Sequence, residues 1–359
     1  MSLSRIVLQG FKSIRECDLT LENVNILIGP NGAGKSNFIG FFKMIREILE
    51  GRLQRYISKN GGPDAVLHFS RKTTSQIAAE LYFGNNGYKF TLEPTNDNRM
   101  MFAKECLWWN QRGDWDEMSG HFETVFEKNI GSSRAIYDYT IPAMKRWVVY
   151  HFHDTSDSSS IKQRHGINDN LYLREDASNL AAFLYLLKNN YSKEYERLVK
   201  TIRLVAPFFK DFFLRPQPDN ADQIELEWVE RNSDVPFKAH LFSDGTLRFI
   251  CLATVLLQPD ELRPDTILLD EPELGLHPAA IHILGTLIRS VSQSSHIILS
   301  TQSTDLLNEF EAKDIIVADR DKGWTHLHRL NPEALAAWLD EYSIGELWHK
   351  NLLGGRPTR

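Results

Sequence analysis

One short segment of the chain has the residue types and spacing that bind a triphosphate. It reads Gly29-Pro30-Asn31-Gly32-Ala33-Gly34-Lys35-Ser36 and fits the pattern G-x-x-x-x-G-K-[ST] without deviation. Glycines let such a loop wrap closely, so its backbone N–H groups converge on phosphate at the start of the following helix. Lys35 would add a positive charge at the β- and γ-phosphates, and the Ser36 hydroxyl would be a Mg²⁺ ligand. The segment therefore predicts a P-loop for ATP and Mg²⁺, with a chance glycine turn as the alternative.

A second segment is an apolar strand that ends in two adjacent carboxylates. It reads Thr266-Ile267-Leu268-Leu269-Asp270-Glu271-Pro272. Strands of parallel sheets carry their chemistry at the carboxyl end, where Asp270 would hold magnesium through water and Glu271 would polarise the attacking water. A nucleotide switch needs only the aspartate, whereas hydrolysis benefits from a base beside the water. The pair therefore predicts an ATPase, although an exposed strand end before a proline turn is an alternative for this segment alone.

Apolar periodicity predicts the elements that position these motifs. The loop follows a short apolar strand, Val24–Ile28, and precedes a helix that starts at Ser36. Further strands are predicted over residues 5–8, 16–21, 76–83, 88–92, 102–109, 147–152 and 224–229, and loops over 50–74 and 154–169. Helices are predicted over residues 116–128, 142–146 and, as a pair, 179–204. An α/β unit follows, with helix 244–257, strand 266–269, helix 279–290 and strand 296–300.

Composition excludes several classes of protein. The chain has 359 residues, 42% of them hydrophobic, and its 41 basic and 47 acidic residues give a net charge of -6. This balance does not indicate a polyanion partner for the molecule as a whole, so any nucleic-acid surface would be local. Cys17, Cys106 and Cys251 lack the spacing of a zinc site or a disulfide framework, which favours small buried side chains.

We expect a cytoplasmic protein without a membrane partner. The longest apolar run, residues 249–257, is about half as long as a helix that spans a bilayer. The chain opens in a strand pattern and not in the basic and apolar regions of a signal peptide.

Three further segments complete a resemblance to a known family. The helix that leads to the acidic strand begins with Ser243-Asp244-Gly245, that strand is followed by Glu-Leu-Gly-Leu-His-Pro at 273–278, and the next strand ends in Ser300-Thr301-Gln302-Ser303. They resemble the signature motif, D-loop and switch loop of ABC-type ATPases, and the opening Leu8-Gln9-Gly10-Phe11-Lys12-Ser13 resembles the start of RecF and SMC heads. The chain thus resembles an ABC-type ATPase head of the RecF, SMC and OLD group, in particular the RecF-like AAA_21 family. Taken alone, Ser243 is equally well an ordinary helix N-cap.

The resemblance implies an α/β fold, a P-loop ABC-type ATPase head with an antiparallel β subdomain and a helical insert. We expect an N-terminal lobe at 1–95, a mixed helical insert at 96–240, a C-terminal lobe at 241–330 and a tail helix at 331–359. It also implies that two heads, or a larger assembly, close around two ATP molecules. Each site would combine Gly29 to Asn37, Asp270 and Glu271 of one subunit with Ser243, Asp244 and Gly245 of the other.

Two departures from the family pattern bear on the mechanism. Gln302 stands where the family usually has a switch histidine, and an amide donates a hydrogen bond at any pH but does not exchange protons as imidazole does. The signature reads Ser-Asp-Gly and not Ser-Gly-Gly, so the Asp244 carboxylate must point away from phosphate.

Three function classes follow from the resemblance. The first is a DNA-associated ATPase of repair or anti-phage defence. The second is an ATP-gated regulatory subunit of a separately encoded effector, such as a Toprim-like nuclease. OLD-type nucleases continue into a Toprim domain, whereas the segment after Asp319 is too short for one, so we expect cleavage from another polypeptide. The third, a membrane-transporter motor, is disfavoured by the RecF-like opening and the His-Pro end of the D-loop.

A basic stretch after the P-loop helix is a candidate surface for DNA. It contains Lys43, Arg46, Arg52, Arg55 and Lys59, which would form a rim that contacts phosphates. A solvated helix face is the favoured alternative.

Overall fold

Two six-stranded sheets and the helices around them form most of the computed structural model, which describes residues 3–126 and 135–354. The strands are β1 (Arg5–Phe11), β2 (Ile14–Thr20), β3 (Val24–Ile28), β4 (Ile77–Phe83), β5 (Asn86–Pro94), β6 (Met100–Trp109), β7 (Gly113–Met118), β8 (Trp147–Tyr150), β9 (His165–Gly166), β10 (Phe209–Phe212), β11 (Pro216–Gln217), β12 (Asn220–Ile224), β13 (Glu227–Glu230), β14 (Phe237–Lys238), β15 (Thr266–Asp270), β16 (His296–Thr301), β17 (Ile315–Asp321) and β18 (Trp324–Arg329). The helices are α1 (Lys35–Leu49), α2 (Leu53–Lys59), α3 (Pro63–Val66), α4 (Ala135–Lys145), α5 (Leu180–Asn190), α6 (Ser192–Val205), α7 (Asp244–Leu257), α8 (Pro278–Val291), α9 (Thr304–Leu307), α10 (Pro332–Leu339) and α11 (Ile344–His349).

The central sheet brings the carboxyl ends of three strands to one edge. Its order is β18-β17-β3-β16-β15-β8, and all its strands are parallel except β18. In its register Asp270 pairs with Ser300, and Thr301 pairs with Ile28. The P-loop, the acidic pair and the switch loop therefore begin side by side, as parallel topology requires.

Side chains of the central sheet alternate between two hydrophobic cores. Ile26, Leu269 and Leu299 face one core, which is shared with helices α5 to α8. Leu27, Leu268 and Ile298 face the other, which is shared with α1 and the antiparallel sheet β2-β1-β4-β5-β6-β7. This period of two explains why the strands are continuous apolar runs, since both faces are buried.

Helix α1 is fixed between the two sheets. Phe41 packs edge-on against Phe11 of β1 at a centroid distance of 5.8 Å, and Phe42 packs against Trp147 of β8 at 5.2 Å. Burial of each such ring contributes about 1.5–3 kcal/mol. The helix that follows the P-loop is therefore held firmly where its N-terminus can serve a ligand.

The predicted strands around the motifs and helix 244–257 are confirmed, but several other predictions are wrong. Residues 50–74 were predicted as a loop but contain helices α2 and α3. The buried Leu53, Tyr56 and Ile57 of α2 have helical spacing. Residues 224–229 are not one strand, because β12 pairs with β11 and β9 whereas β13 pairs with β10 and β14. An alternating pattern of apolar and polar residues does not reveal where a chain stops pairing with one strand and begins pairing with another.

The stretch 116–128 is not a helix in its described part. It begins in β7 and continues without helix to residue 126, while 127–128 lie outside the described residues. The buried Glu105 carboxylate accepts hydrogen bonds from the Thr124 hydroxyl (2.6 Å) and bonds to His121 Nε2 (2.8 Å), which ties this stretch to β6. Strands β6 and β7 also carry the antiparallel sheet past residue 95, where we expected the first lobe to end.

The tail is not a single helix, since α10 and α11 are separate and 355–359 lie outside the described residues. All three cysteines are buried and unbonded, as predicted. Within the described ranges, every helix is too short or too polar to cross a lipid bilayer.

Candidate nucleotide-binding and hydrolysis site

The P-loop adopts a backbone conformation that favours glycine at two positions. Gly32 and Gly34 have φ values of 79° and 108°, in the region that residues with a Cβ rarely adopt. A Cβ at Gly34 would lie 2.0 Å from Thr325 Oγ1, whereas a Cβ at Gly32 would meet nothing within 4 Å. Gly34 is therefore required both by conformation and by a close neighbour.

Two residues from distant parts of the chain hold the loop in place. The Thr325 hydroxyl donates to the Ala33 carbonyl (2.7 Å) and accepts from the Ser13 hydroxyl (2.7 Å). Ser13 Oγ in turn accepts from Asn37 Nδ2 (2.6 Å), at the first turn of α1. Nothing in the sequence around Thr325 indicated this contact, and Ser13 entered only as part of the RecF-like opening.

The start of α1 is open to an anion. Gly34 caps the helix without a side-chain hydrogen bond, which leaves N–H groups of the first turn for a ligand. Lys35 is buried, and its Nζ donates to the carbonyls of Gly29 (2.6 Å) and Pro30 (3.2 Å). Burial lowers the pKa of Lys35, and the carboxylates of Glu271, Asp270 and Glu273 oppose this shift.

The two acidic residues occupy different environments at the end of β15. Asp270 Oδ1 accepts from the Ser300 hydroxyl (2.5 Å). Glu271 has a φ of 46°, an uncommon conformation for a residue with a side chain, and its N–H donates to the Ser300 carbonyl (3.0 Å). With the exposed Ser36 hydroxyl, Asp270 offers the hard oxygen ligands that Mg²⁺ prefers, so these residues fit the ion.

Gln302 joins the switch loop to both motifs. Its Nε2 donates to Asn31 Oδ1 in the P-loop (2.8 Å) and to Glu271 Oε1 (2.6 Å). One side-chain amide therefore links the P-loop to the acidic pair.

A residue without an assigned role also reaches the switch loop. Glu273 Oε1 accepts from the Thr301 hydroxyl (2.6 Å) and from the Gln302 N–H (3.1 Å). Burial raises the pKa of Glu273. The sequence did not indicate these contacts, because the only signal at Glu273 is its place at the start of the D-loop.

The signature residues lie at the exposed start of α7. The Ser243 side chain caps this helix by accepting a hydrogen bond from the Thr246 N–H (3.2 Å). In the single chain Ser243 is therefore an ordinary helix N-cap. Ser243 and Asp244 are exposed. Gly245 packs on the D-loop, where a Cβ would lie 2.5 Å from the Gly275 carbonyl oxygen.

The fold and the site together define a P-loop ABC-type ATPase head. The chain belongs to the AAA_21 family, described as "AAA domain, putative AbiEii toxin, Type IV TA system", whose model matches residues 24–308. The head is of the RecF, SMC and OLD group, which confirms the resemblance drawn from the motifs.

Three relatives share different parts of the chain. The Old nuclease of Escherichia phage P2 is 23% identical over 90% of this chain and 60% of its own length. An energy-coupling factor transporter ATP-binding protein of Lactobacillus acidophilus is 26% identical over 43% of this chain and 60% of its own length. The DNA replication and repair protein RecF of Vibrio vulnificus is 38% identical over 15% of this chain and 17% of its own length. The chain thus spans 60% of the length of each of the first two relatives.

A solved Smc head shows the same fold. This structure, the SmcHead bound to the C-winged helix domain of ScpA, superposes with a TM-score of 0.62 over 94% of this chain and 100% of that one, at 17% identity. The P-loop ABC-type fold predicted from the sequence is therefore confirmed.

Proposed function

We propose that this chain binds and hydrolyses ATP, that two copies close around two ATP molecules, and that hydrolysis drives DNA-associated work in repair or anti-phage defence. The observation that carries the proposal is the Gln302 amide, which bonds to Asn31 of the P-loop and to Glu271 of the acidic pair. It supports an arrangement in which a water molecule held by Glu271 faces the terminal phosphate.

Each residue then has one task. The N–H groups at the start of α1 and the Lys35 ammonium bind the phosphates, and Glu271 accepts the proton of the attacking water. When ATP binds, the Gln302 amide would exchange its hydrogen bond to Asn31 for one to the terminal phosphate, without giving up a proton. Ser36 and Asp270 would hold Mg²⁺, which supplies charge neutralisation at the β- and γ-phosphates.

The exposed start of α7 supports the dimer part of the proposal. Its helix N-terminus and the Ser243 hydroxyl are suited to a phosphate, and Ser243 and Asp244 are exposed in the single chain. In a dimer closed face to face, this surface would cover the nucleotide of the other copy. ATP binding would then shift the population toward the closed dimer, and hydrolysis would reverse the shift.

DNA as a partner is supported by the relative named as a DNA replication and repair protein and not by the predicted basic rim. Arg46 pairs with Glu50 and Glu175, and Arg52 pairs with Glu47, which neutralises two of the five basic residues of that rim. The alternative of an ATP-gated regulatory subunit stays a prediction, which an adjacent gene for a Toprim-like protein would favour. The cytoplasmic location also stays a prediction.

The test is the Glu271→Gln variant, which keeps the size of the side chain and removes the base. We expect ATP binding to persist, phosphate release to fall by about a hundredfold or more, and light scattering to show a stable dimer with ATP. The exposed Glu333→Gln is the matched control. Hydrolysis by Glu271→Gln at the wild-type rate would show that the base is wrongly assigned. Repeating the assay with duplex DNA tests the DNA-associated part.

A further inference from the structure

A buried carboxyl group beside the hydrolysis site has contacts that the proposed mechanism does not use. Glu273 Oε1 accepts two hydrogen bonds from the switch loop, one from a side chain and one from the backbone. Within the described part of the chain, the buried Oε2 atom has no hydrogen-bond partner. Burying a polar atom in this way costs free energy, so the position calls for a compensating role.

The contacts of Glu273 surround a single residue, Gln302. The Thr301 hydroxyl donates to Glu273 and accepts from the Ser303 N–H (3.0 Å), while the Gln302 N–H donates directly to Glu273 (3.1 Å). The backbone is therefore held on both sides of the residue whose amide bonds to Asn31 and Glu271. A small rotation of the backbone at Gln302 would move the side-chain amide out of hydrogen-bond distance of Asn31 or Glu271.

We propose that Glu273 is the positioning residue of the switch loop, which holds Gln302 so that its amide lies between the P-loop and Glu271. The inference rests on the proposed hydrolysis and deepens it. As a positioning residue, Glu273 would touch neither the nucleotide nor the attacking water and would act only through Gln302.

The chemistry of the site explains why a carboxyl group suits this task. One oxygen must reach from the D-loop to a hydroxyl and a backbone N–H together, and a glutamate oxygen accepts both. A second full negative charge beside Glu271 would repel a triphosphate. Burial, and to a smaller extent the charge of Glu271, raises the pKa of Glu273. Glutamine has nearly the same shape as glutamate and keeps the accepting oxygen.

The kinetic test compares Glu273→Ala, Glu273→Gln and the exposed control Glu333→Ala. We expect Glu273→Ala to lower kcat by about tenfold to a hundredfold, as loss of a supporting hydrogen bond does in other sites, with the Kd for ATP changed less than about twofold. Glu273→Gln should recover kcat to within about threefold of wild type, since the acceptor is kept. A merely structural role would lower binding and kcat together and would not be rescued.

Hydrogen exchange at the backbone N–H of Gln302 tests the same contact without hydrolysis. In the nucleotide-free protein, this N–H should exchange at least about tenfold faster in Glu273→Ala than in wild type, whereas its exchange in Glu273→Gln should stay at the wild-type rate. If Glu273→Ala fails to fold, Thr301→Val removes the hydroxyl and leaves the carboxyl group. It should lower kcat by about threefold to tenfold, the worth of one hydrogen bond.

The outcomes separate this inference from the proposed function. Unchanged exchange at Gln302, or wild-type kcat in Glu273→Ala, would overturn the role of Glu273. Faster exchange in a protein whose wild type does not hydrolyse ATP would support the contact and overturn the hydrolysis.

Discussion

The two surfaces of the proposed nucleotide site differ in how far a single chain completes them. On the P-loop side, Lys35 bonds to loop carbonyls and Gln302 joins the loop to the acidic pair. On the signature side, Ser243 and Asp244 are exposed, and the hydrogen bonds of the Ser243 hydroxyl stay within the first turn of α7.

Substitutions on the two sides should therefore have different effects. Contacts inside the chain form on folding, so changes on the P-loop side should weaken nucleotide binding even in a monomer. In the proposed dimer the signature side would gain contacts only when a second copy supplies a nucleotide, so changes there should leave binding by the monomer intact. The following substitutions test this difference.

Replacement of Lys35 by alanine should have the largest effect. Lys35 would place a buried ammonium among the phosphates, so Lys35→Ala should weaken ATP binding by about a hundredfold, or about 2.7 kcal/mol. Calorimetric titration with ATP measures the loss, and Lys43→Ala, on the same helix, is the control. An ATP affinity near that of wild type would show that Lys35 does not contribute to nucleotide binding.

Gly34 and Gly32 form a matched pair on the P-loop. Both have positive φ, so alanine at either should cost about 1–2 kcal/mol of backbone strain. Only the Gly34 Cβ would meet Thr325 Oγ1, at 2.0 Å, so Gly34→Ala should also displace the loop and weaken ATP binding by about tenfold. Chemical denaturation and ATP titration measure the two effects, and equal affinities in both variants would contradict the role of Thr325.

Ser243→Arg should remove hydrolysis without removing ATP binding. The large side chain would disrupt the one site that this Ser243 completes on the other copy, and loss of the helix cap should cost only about 1 kcal/mol of folding stability. We expect kcat to fall about tenfold or more, since transition-state contacts from the second copy are lost.

A mixing experiment with Ser243→Arg tests whether each site is built from two copies of the chain. An equal mixture with Lys35→Ala forms heterodimers that contain one intact site, so about a quarter of wild-type activity should return. Phosphate release by the mixture measures this recovery. Activity no higher than the average of the two separate variants would argue that each site is built within one chain.

Charge reversal in the basic stretch should have the smallest effect. Arg52 already pairs with Glu47, and Arg55 is exposed on α2. We expect Arg52→Glu and Arg55→Glu to change DNA-stimulated ATPase activity less than about twofold, as solvated surface pairs contribute little. A fall of about tenfold that added salt mimics would restore this stretch as a DNA surface.

The local parts of the site were predictable because their signals lie in neighbouring residues. The strand before Gly29, the helix after it and helix 244–257 follow from apolar spacing, and the structure confirms them. Residues 224–229 alternate just as regularly, yet they belong to two strands whose partners lie elsewhere in the chain. Pairing partners leave no local mark, which explains why one prediction succeeded and the other failed.

The P-loop, the acidic strand and the order of the later motifs follow from the sequence, because a contiguous backbone segment carries each of them. The contacts that hold these motifs in place follow from the fold. Ser13 and Thr325 meet beneath the P-loop although they are 312 positions apart, and Glu273 reaches Gln302 from a neighbouring loop. Such contacts depend on which strands lie side by side in the sheet, and that order is set by long-range burial of two cores and not by the residues next to each motif.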